Sequence, residues 1–225
     1  EERYEWLMRD AWLCRKTNRQ RRLAEHRAHF DLYCSDLRGA PPGLVIDVGP
    51  GPGEFLEICR EFGHSIMGID APNGCGGMGD TYVEASAMMH QRQEIPVERC
   101  GFEAWVLDEH SPINGTVALI NFRGSIEQAF SAYMLGERHD LHHRCRDMAW
   151  SMTAGLRERM VVAFRQMARM LRAEGSIVVV ANGSANDNDY DGMMLESGRS
   201  AELNLVLHQP PLVHKWTKPT PQILP

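Results

Sequence analysis

The stretch Asp47-Val48-Gly49-Pro50-Gly51-Pro52-Gly53 sets three glycines at alternate positions directly behind a carboxylate. Leu44-Val45-Ile46 before it is apolar, and Glu54-Phe55-Leu56 after it begins a helical pattern. The glycines therefore fall in a tight strand-to-helix turn whose backbone no side chain screens from a ligand. Seventeen residues beyond Gly53, Asp70 closes a second apolar stretch, Ser65-Ile66-Met67-Gly68-Ile69. An acid at the end of the second strand of a βαβ unit is placed to accept hydrogen bonds from ribose hydroxyls. Together these residues suit a nucleoside-containing ligand. A second segment able to do chemistry is Asn121-Phe122-Arg123-Gly124-Ser125, with Glu127 and Gln128 one turn on. Asn121 can donate to and accept from an amine or hydroxyl, Arg123 can clamp a carboxylate or phosphate, and Glu127 can act as a base. The plainer alternative is that Asn121 and Ser125 cap the next helix while Arg123 pairs with a surface acid.

These residues need elements to hold them, and the apolar pattern supplies an alternation of strands and helices. Residues 2–37 read as a helical arm, stopped by Gly39-Ala40-Pro41-Pro42-Gly43. Strands are expected near 44–48, 65–69, 97–100, 116–121 and 177–181. Helices are expected near 53–63, 83–94, 102–107, 125–135 and 152–172. The unbroken apolar run Ile177-Val178-Val179-Val180-Ala181 marks a strand buried on both faces. Such alternation implies a parallel sheet with helices on both sides, and ligands of open α/β sheets sit outside the carboxyl ends of the strands. A short helix near 190–198 follows. The tail segments 203–208 and 212–217, joined across Pro210-Pro211, pair most easily antiparallel.

The glycine spacing is G-x-G-x-G, with Glu54 where the dinucleotide fingerprint carries its third glycine. A carboxylate at Asp47 would repel a pyrophosphate but suits a ligand bearing an amine and a sulfonium. S-adenosylmethionine has both cationic groups, a ribose for Asp70 and an adenine for the next loop. Asp47-Val48-Gly49-Pro50-Gly51-Pro52-Gly53 followed by Gly68-Ile69-Asp70 resembles the first two motifs of class I S-adenosylmethionine-dependent methyltransferases. Leu171-Arg172-Ala173-Glu174-Gly175 resembles that family's L-x-x-G-G segment, with Glu174 at the first glycine. The resemblance implies a Rossmann-like seven-stranded α/β sheet, mostly parallel with an antiparallel last strand. It divides the chain into an arm, 1–42, and a cofactor-binding domain, 43–225. By position it implies that Gly49, Gly51 and Gly53 admit the methionine part of the cofactor. Asp47 then positions its amino group, Asp70 binds its ribose, and Cys100, Gly101 and Phe102 lie by its adenine. Methyl transfer would be catalysed around Asn121, Arg123 and Glu127, leaving S-adenosylhomocysteine.

Bulk properties narrow the partner. The net charge is -6, and residues 1–43 carry nine basic and seven acidic groups, leaving a net of -8 for the remainder. The cluster Arg15, Lys16, Arg19, Arg21, Arg22 and Arg27 reads as the solvated face of a helix or as a phosphate-binding arm. The acidic balance and the lack of a D/N-P-P-Y motif favour an oxygen or nitrogen acceptor on a small molecule or glycan precursor. An RNA or other phosphate-bearing substrate, and a non-catalytic cofactor-binding subunit, are the alternatives. The three lysines, 16, 215 and 218, do not assemble a lysine-dependent ribose-methylation set. Six scattered cysteines without a C-x-x-C pair read as reduced thiols, and no membrane-length apolar run occurs, so the cytoplasm is expected. His139, His143 and Cys145 are spaced for a metal, yet no second cluster completes a ligand set, so no metal is assigned. His214 is a candidate base if its strand ends at the site, and the glycine-rich stretch 73–79 a candidate lid.

Overall fold

A computed structural model describes residues 19–70, 79–107, 113–126, 129, 155–181, 188–210 and 212–220. Helix α1 (Arg19–Tyr33) and a 3₁₀ turn (Ser35–Arg38) lead to β1 (Leu44–Val48), α2 (Glu54–Glu61), β2 (Ser65–Asp70) and α3 (Gly79–Arg92). Then follow β3 (Val97–Arg99), α4 (Phe102–Val106), β4 (Val117–Arg123), α5 (Leu156–Met170), β5 (Leu171–Val180), α6 (Asn188–Ser200), β6 (Asn204–Gln209) and β7 (Val213–Thr217). The strands form one seven-stranded sheet in the order β3-β2-β1-β4-β5-β7-β6. The first five run parallel, and β7 is antiparallel to both β5 and β6. This is the Rossmann-like sheet with a reversed last strand that the sequence pattern implies. The order reverses between β1 and β4, so the carboxyl ends of those two strands flank the switch point where ligands of such sheets bind.

Each face of the sheet has its own core. On one, Ile46, Ile120, Phe122, Ile177, Val179 and Trp216 pack under α5 and α6. On the other, Val45, Ala118, Leu119 and Val178 meet Phe30, Phe55, Leu56 and Cys59. Adjacent residues of β5 thus serve opposite cores, which is why its run is continuously apolar rather than alternating.

Helix α1 belongs to that second core: Phe30, Cys34 and Leu37 are buried, and Phe30 stacks on Phe62 with centroids 4.9 Å apart. The expected single helix over 2–37 gives way at Cys34 to the 3₁₀ turn, which drives Leu37 into the core. Residues 1–18 lie outside the described set. Three of the arm's arginines face α2. Arg19 pairs with Glu57 at 3.0 Å, Arg22 with Glu54 at 2.6 Å and Arg27 with Glu61 at 2.8 Å. Glu54, the residue in place of the dinucleotide glycine, is fully buried, and burial pushes its carboxyl up despite the Arg22 charge.

Helix α5 and β5 adjoin without a loop, so β5 starts six residues before the expected 177. The turn is made at Glu174, which takes φ +63° where a glycine is usual, its N–H donating to Lys218 O at 3.1 Å. An L-residue there carries a steric cost that glycine does not. Because Glu174 is exposed, Glu174→Gly should stabilise the protein by about 0.5–1 kcal/mol in urea unfolding. Arg22→Ala, which strands the buried Glu54 carboxylate, should cost about 3 kcal/mol or more in the same assay. Arg27→Ala, at a half-exposed pair, should cost about 1 kcal/mol or less.

Candidate functional site

The glycine turn opens at the carboxyl end of β1. Gly49, Gly51 and Gly53 adopt φ of +70°, +52° and +97°, a conformation that side chains with a Cβ disfavour. Space forbids them as well. A Cβ on Gly49 would stand 2.9 Å from Ser125 Cβ, and one on Gly53 only 2.4 Å from Ile95 Cδ1. Gly49 N–H donates to Ile69 O at 2.8 Å, tying the turn to β2, and Gly53 begins α2. The turn therefore presents bare backbone at the mouth of the sheet. Beside Gly49, Ser125 Oγ is buried without a hydrogen-bond partner among the described residues.

Behind the turn, Asp47 and Asn121 are register partners on β1 and β4. Asn121 Nδ2 donates to Asp47 Oδ1 at 2.8 Å, and His29 Nε2 lies 2.9 Å from Asn121 Oδ1. Since Oδ1 can only accept, His29 holds its proton on Nε2, and the chain runs one way from His29 through Asn121 to Asp47. Asp47 is 3% exposed and Asn121 0%. Burial lifts the Asp47 carboxyl to about 7, against the Asn121 hydrogen bond and the Arg123 charge that lower it. Burial likewise depresses His29 to about 4, with the Asn121 bond working the other way.

Arg123 ends β4, one third exposed, with Nη1 at 3.0 and 3.1 Å from the two ring nitrogens of His26 and Nη2 at 4.0 Å from Glu25. Only an unprotonated ring nitrogen can accept that donor. Burial first and the Arg123 charge second hold His26 down at about 3. Glu25, His26 and His29 all come from α1, so the arm overhangs the ends of β1 and β4.

On the other flank, Arg99 Nη1 donates to Asp70 Oδ2 at 2.8 Å and Nη2 approaches His90 Nδ1 at 3.3 Å. His90 Nε2 in turn donates to Gly51 O at 2.6 Å. The acid at the end of β2 and the middle glycine are thereby joined through two residues of α3 and β3. Burial, partly offset by that carbonyl, keeps His90 neutral with its pKa near 4. Past β3, Cys100 and Gly101 are half-buried, and burial raises the Cys100 thiol. Phe102 turns into the core, edge-on to Phe122 at 5.0 Å, while the buried Glu103 of α4 takes two hydrogen bonds from Arg159 at 2.6 and 2.5 Å.

The structure thus brings together Asp47, Gly49, Gly51, Gly53, Asp70, Asn121 and Arg123 around the switch point. Asn121, expected to face a substrate, has both side-chain heteroatoms engaged inside the protein. Glu127, the stretch from His139 to Cys145 and the lid candidate 73–78 lie outside the described residues. Sequence reasoning missed His26, His29, His90 and Arg99. The i, i+3 spacing of the two α1 histidines is the only local hint, and nothing in it says which strand they meet.

The fold matches solved structures. A TehB-like SAM-dependent methyltransferase from Corynebacterium glutamicum superimposes with a TM-score of 0.51 at 18% identity, over 91% of this chain and 96% of that one. A SAM-dependent methyltransferase from Archaeoglobus fulgidus gives 0.50 at 12% identity, over 81% of this chain and 69% of that one. No protein-family profile matches the chain, and no curated protein matches it in sequence. The fold is that of class I S-adenosylmethionine-dependent methyltransferases.

The buried imidazoles give the stability a pH dependence with a definite sign. Unfolded histidines take up protons near 6.5, whereas His26, His29 and His90 refuse them until about 3 to 4. The unfolded state therefore binds more protons in that window, and stability falls as pH falls. Asp47 opposes this: folded, it keeps up to about 7 a proton that the unfolded chain releases above about 4. Three imidazoles outweigh the two raised carboxyls, Asp47 and Glu54, and give a net loss. Urea midpoints should drop between pH 6.5 and 4, and His29→Gln should flatten the drop; an unchanged slope would deny His29 its buried neutral state.

Proposed function

We propose that this protein is an S-adenosylmethionine-dependent methyltransferase whose acceptor is an oxygen or nitrogen of a small molecule or glycan precursor. The observation that carries the reading is the left-handed glycine turn at the end of β1, with Asp47 behind it and Asp70 across from it at the end of β2. The residues present fit the donor. Bare backbone at Gly49 and Gly51 leaves room for its methionine part, and the buried Ser125 hydroxyl beside Gly49, without a partner among the described residues, offers a hydrogen bond there. Asp47, held by Asn121 at Oδ1, keeps Oδ2 for the ammonium, Asp70 serves the ribose, and Cys100 and Gly101 line the adenine side. When bound, the donor supplies a methyl group already activated by its sulfonium.

Much of the work left to the protein is alignment and exclusion of water. Asn121 orients Asp47 rather than touching the acceptor, and His29 fixes the amide so that its NH₂ faces the carboxylate. The roof of α1 keeps water from the ends of β1 and β4. Arg123, one third exposed beside that roof, is the group that would hold an acceptor's carboxylate or phosphate. Glu127, four positions on in sequence, is the proposed base for an acceptor that must lose a proton. The described arginines of the arm pair with carboxylates, which supports a small acceptor over a nucleic acid. A soluble setting such as the cytoplasm suits this chemistry, and no helix among the described residues is long and apolar enough to cross a membrane.

Isothermal titration with S-adenosylmethionine and S-adenosylhomocysteine at pH 8 should give one site per chain; absence of heat at millimolar ligand would sink the proposal. Because a cationic ligand binds the ionised form of Asp47, affinity should weaken by about tenfold per pH unit below about 7. Asp47→Asn should bind more weakly at pH 8 and lose that slope. Turnover of a labelled methyl group over an acceptor library then separates an enzyme from a cofactor-binding subunit.

A further inference from the structure

At the same end of the sheet as the glycine turn but three strands along, three side chains from three elements converge on one point. His208 of β6 and His214 of β7 are register partners. Each places Nε2 at 2.8 Å from the same oxygen, Oδ1, of Asp191 on α6. The three ligand atoms lie within 4.8 Å of one another, and no other such group of three occurs among the described residues. His214 is 0% exposed, stacked on Trp216 at 5.2 Å and edge-on to Tyr190 at 6.2 Å. Its Nδ1 has no hydrogen-bond partner among the described residues. An imidazole costs free energy in that position where an aliphatic residue would not, so its retention asks for a role. Asp191 and His208 are about a quarter exposed, which opens a path from solvent to the buried ligand.

We propose that Asp191, His208 and His214 form a binding site for a borderline divalent transition ion of the Zn²⁺ type. Two imidazole nitrogens and one carboxylate oxygen select such an ion over Mg²⁺ or Ca²⁺, which prefer all-oxygen shells. Bonds of about 2.0–2.1 Å in a tetrahedral shell hold ligand atoms about 3.3 Å apart. Each imidazole therefore retreats about half an ångström from Asp191, its proton passing from Nε2 to Nδ1 so that Nε2 offers a lone pair to the ion. Three protein ligands leave a fourth position open for water or an oxygen or nitrogen ligand, as in catalytic rather than structural zinc sites. The ion would also staple α6 to the β6–β7 hairpin. His214 stands level with Val179 of β5 and Phe122 of β4, so the site lies at the carboxyl end of the sheet, about 10 Å from β4 across two strand spacings.

The test is independent of methyl transfer. Full-length protein stripped with chelator and dialysed is titrated calorimetrically with Zn²⁺, and with Co²⁺ while its visible absorption is followed. Wild type should bind one Zn²⁺ at this site at micromolar affinity or better, gain a thermal shift, and give Co²⁺ bands indicating a coordination number below six. His208→Ala should lose that site, its thermal shift and its bands. Asp191→Asn, which keeps an acceptor oxygen for the two histidines, should weaken binding by tenfold or more, on the order of the losses seen when metal sites are perturbed. His139→Ala with His143→Ala should leave the site intact, which separates it from the other histidine-rich segment. Binding no tighter than about 100 μM, or equal binding by wild type and both site variants, would overturn the proposal; if His208→Ala unfolds, Asp191→Asn alone decides.

Discussion

A carboxylate buried in the middle of a sheet is the constraint on which the rest of this molecule turns. Asp47 stands on β1, an interior strand, between Gly68 of β2 and Asn121 of β4, where desolvation alone would neutralise it. What keeps ionisation within reach is one amide hydrogen bond and one guanidinium nearby. The amide has to be oriented, and a carboxamide can flip, so the neutral imidazole of His29 is needed to hold it. His29 in turn is positioned by α1, whose Phe30 and Leu37 pack into the core. An arm that looks peripheral in the sequence is therefore continuous, through three hydrogen-bonding groups, with the acid behind the ligand turn.

The same logic explains Glu54. Its presence breaks the dinucleotide fingerprint, and the fold uses the position for a different end. A glycine there would let helix and strand close on each other. A buried glutamate instead demands a cation, and Arg22 of α1 answers at 2.6 Å. The residue that tells one nucleotide fold from another is also the one that docks the arm over the site.

What the sequence made legible is what backbone geometry imposes locally. Three residues at positive φ had to be glycines, a strand buried on both faces had to be apolar throughout, and a three-residue link between strands had to turn back. Glu174 shows the limit of that reading, because a glutamate's own type does not announce a left-handed position, and only the resemblance to a glycine-bearing segment marked it. Contacts set by tertiary register left none either. His29 meets Asn121 across 92 positions and Arg99 meets Asp70 across 29, and no periodicity encodes either meeting. Asp191, His208 and His214 belong to a helix and two strands whose pairing was foreseeable, whereas the angle bringing the helix onto them was not.

The arginine–glutamate pairing of the arm has an electrostatic consequence at long range. Arg19, Arg21, Arg22 and Arg27 each lie 3.0 Å or less from a glutamate, so they act on the surroundings as short dipoles. The field of a dipole dies away faster than that of a bare charge, and salt erases it within about 8 Å. What an approaching molecule senses at a distance is then the acidic remainder of the chain, with its net of -8. That potential slows anions and gathers cations toward the protein before any contact is made. A small sulfonium-bearing molecule is the kind of ligand it concentrates, and an unpaired phosphate chain is the kind it turns away.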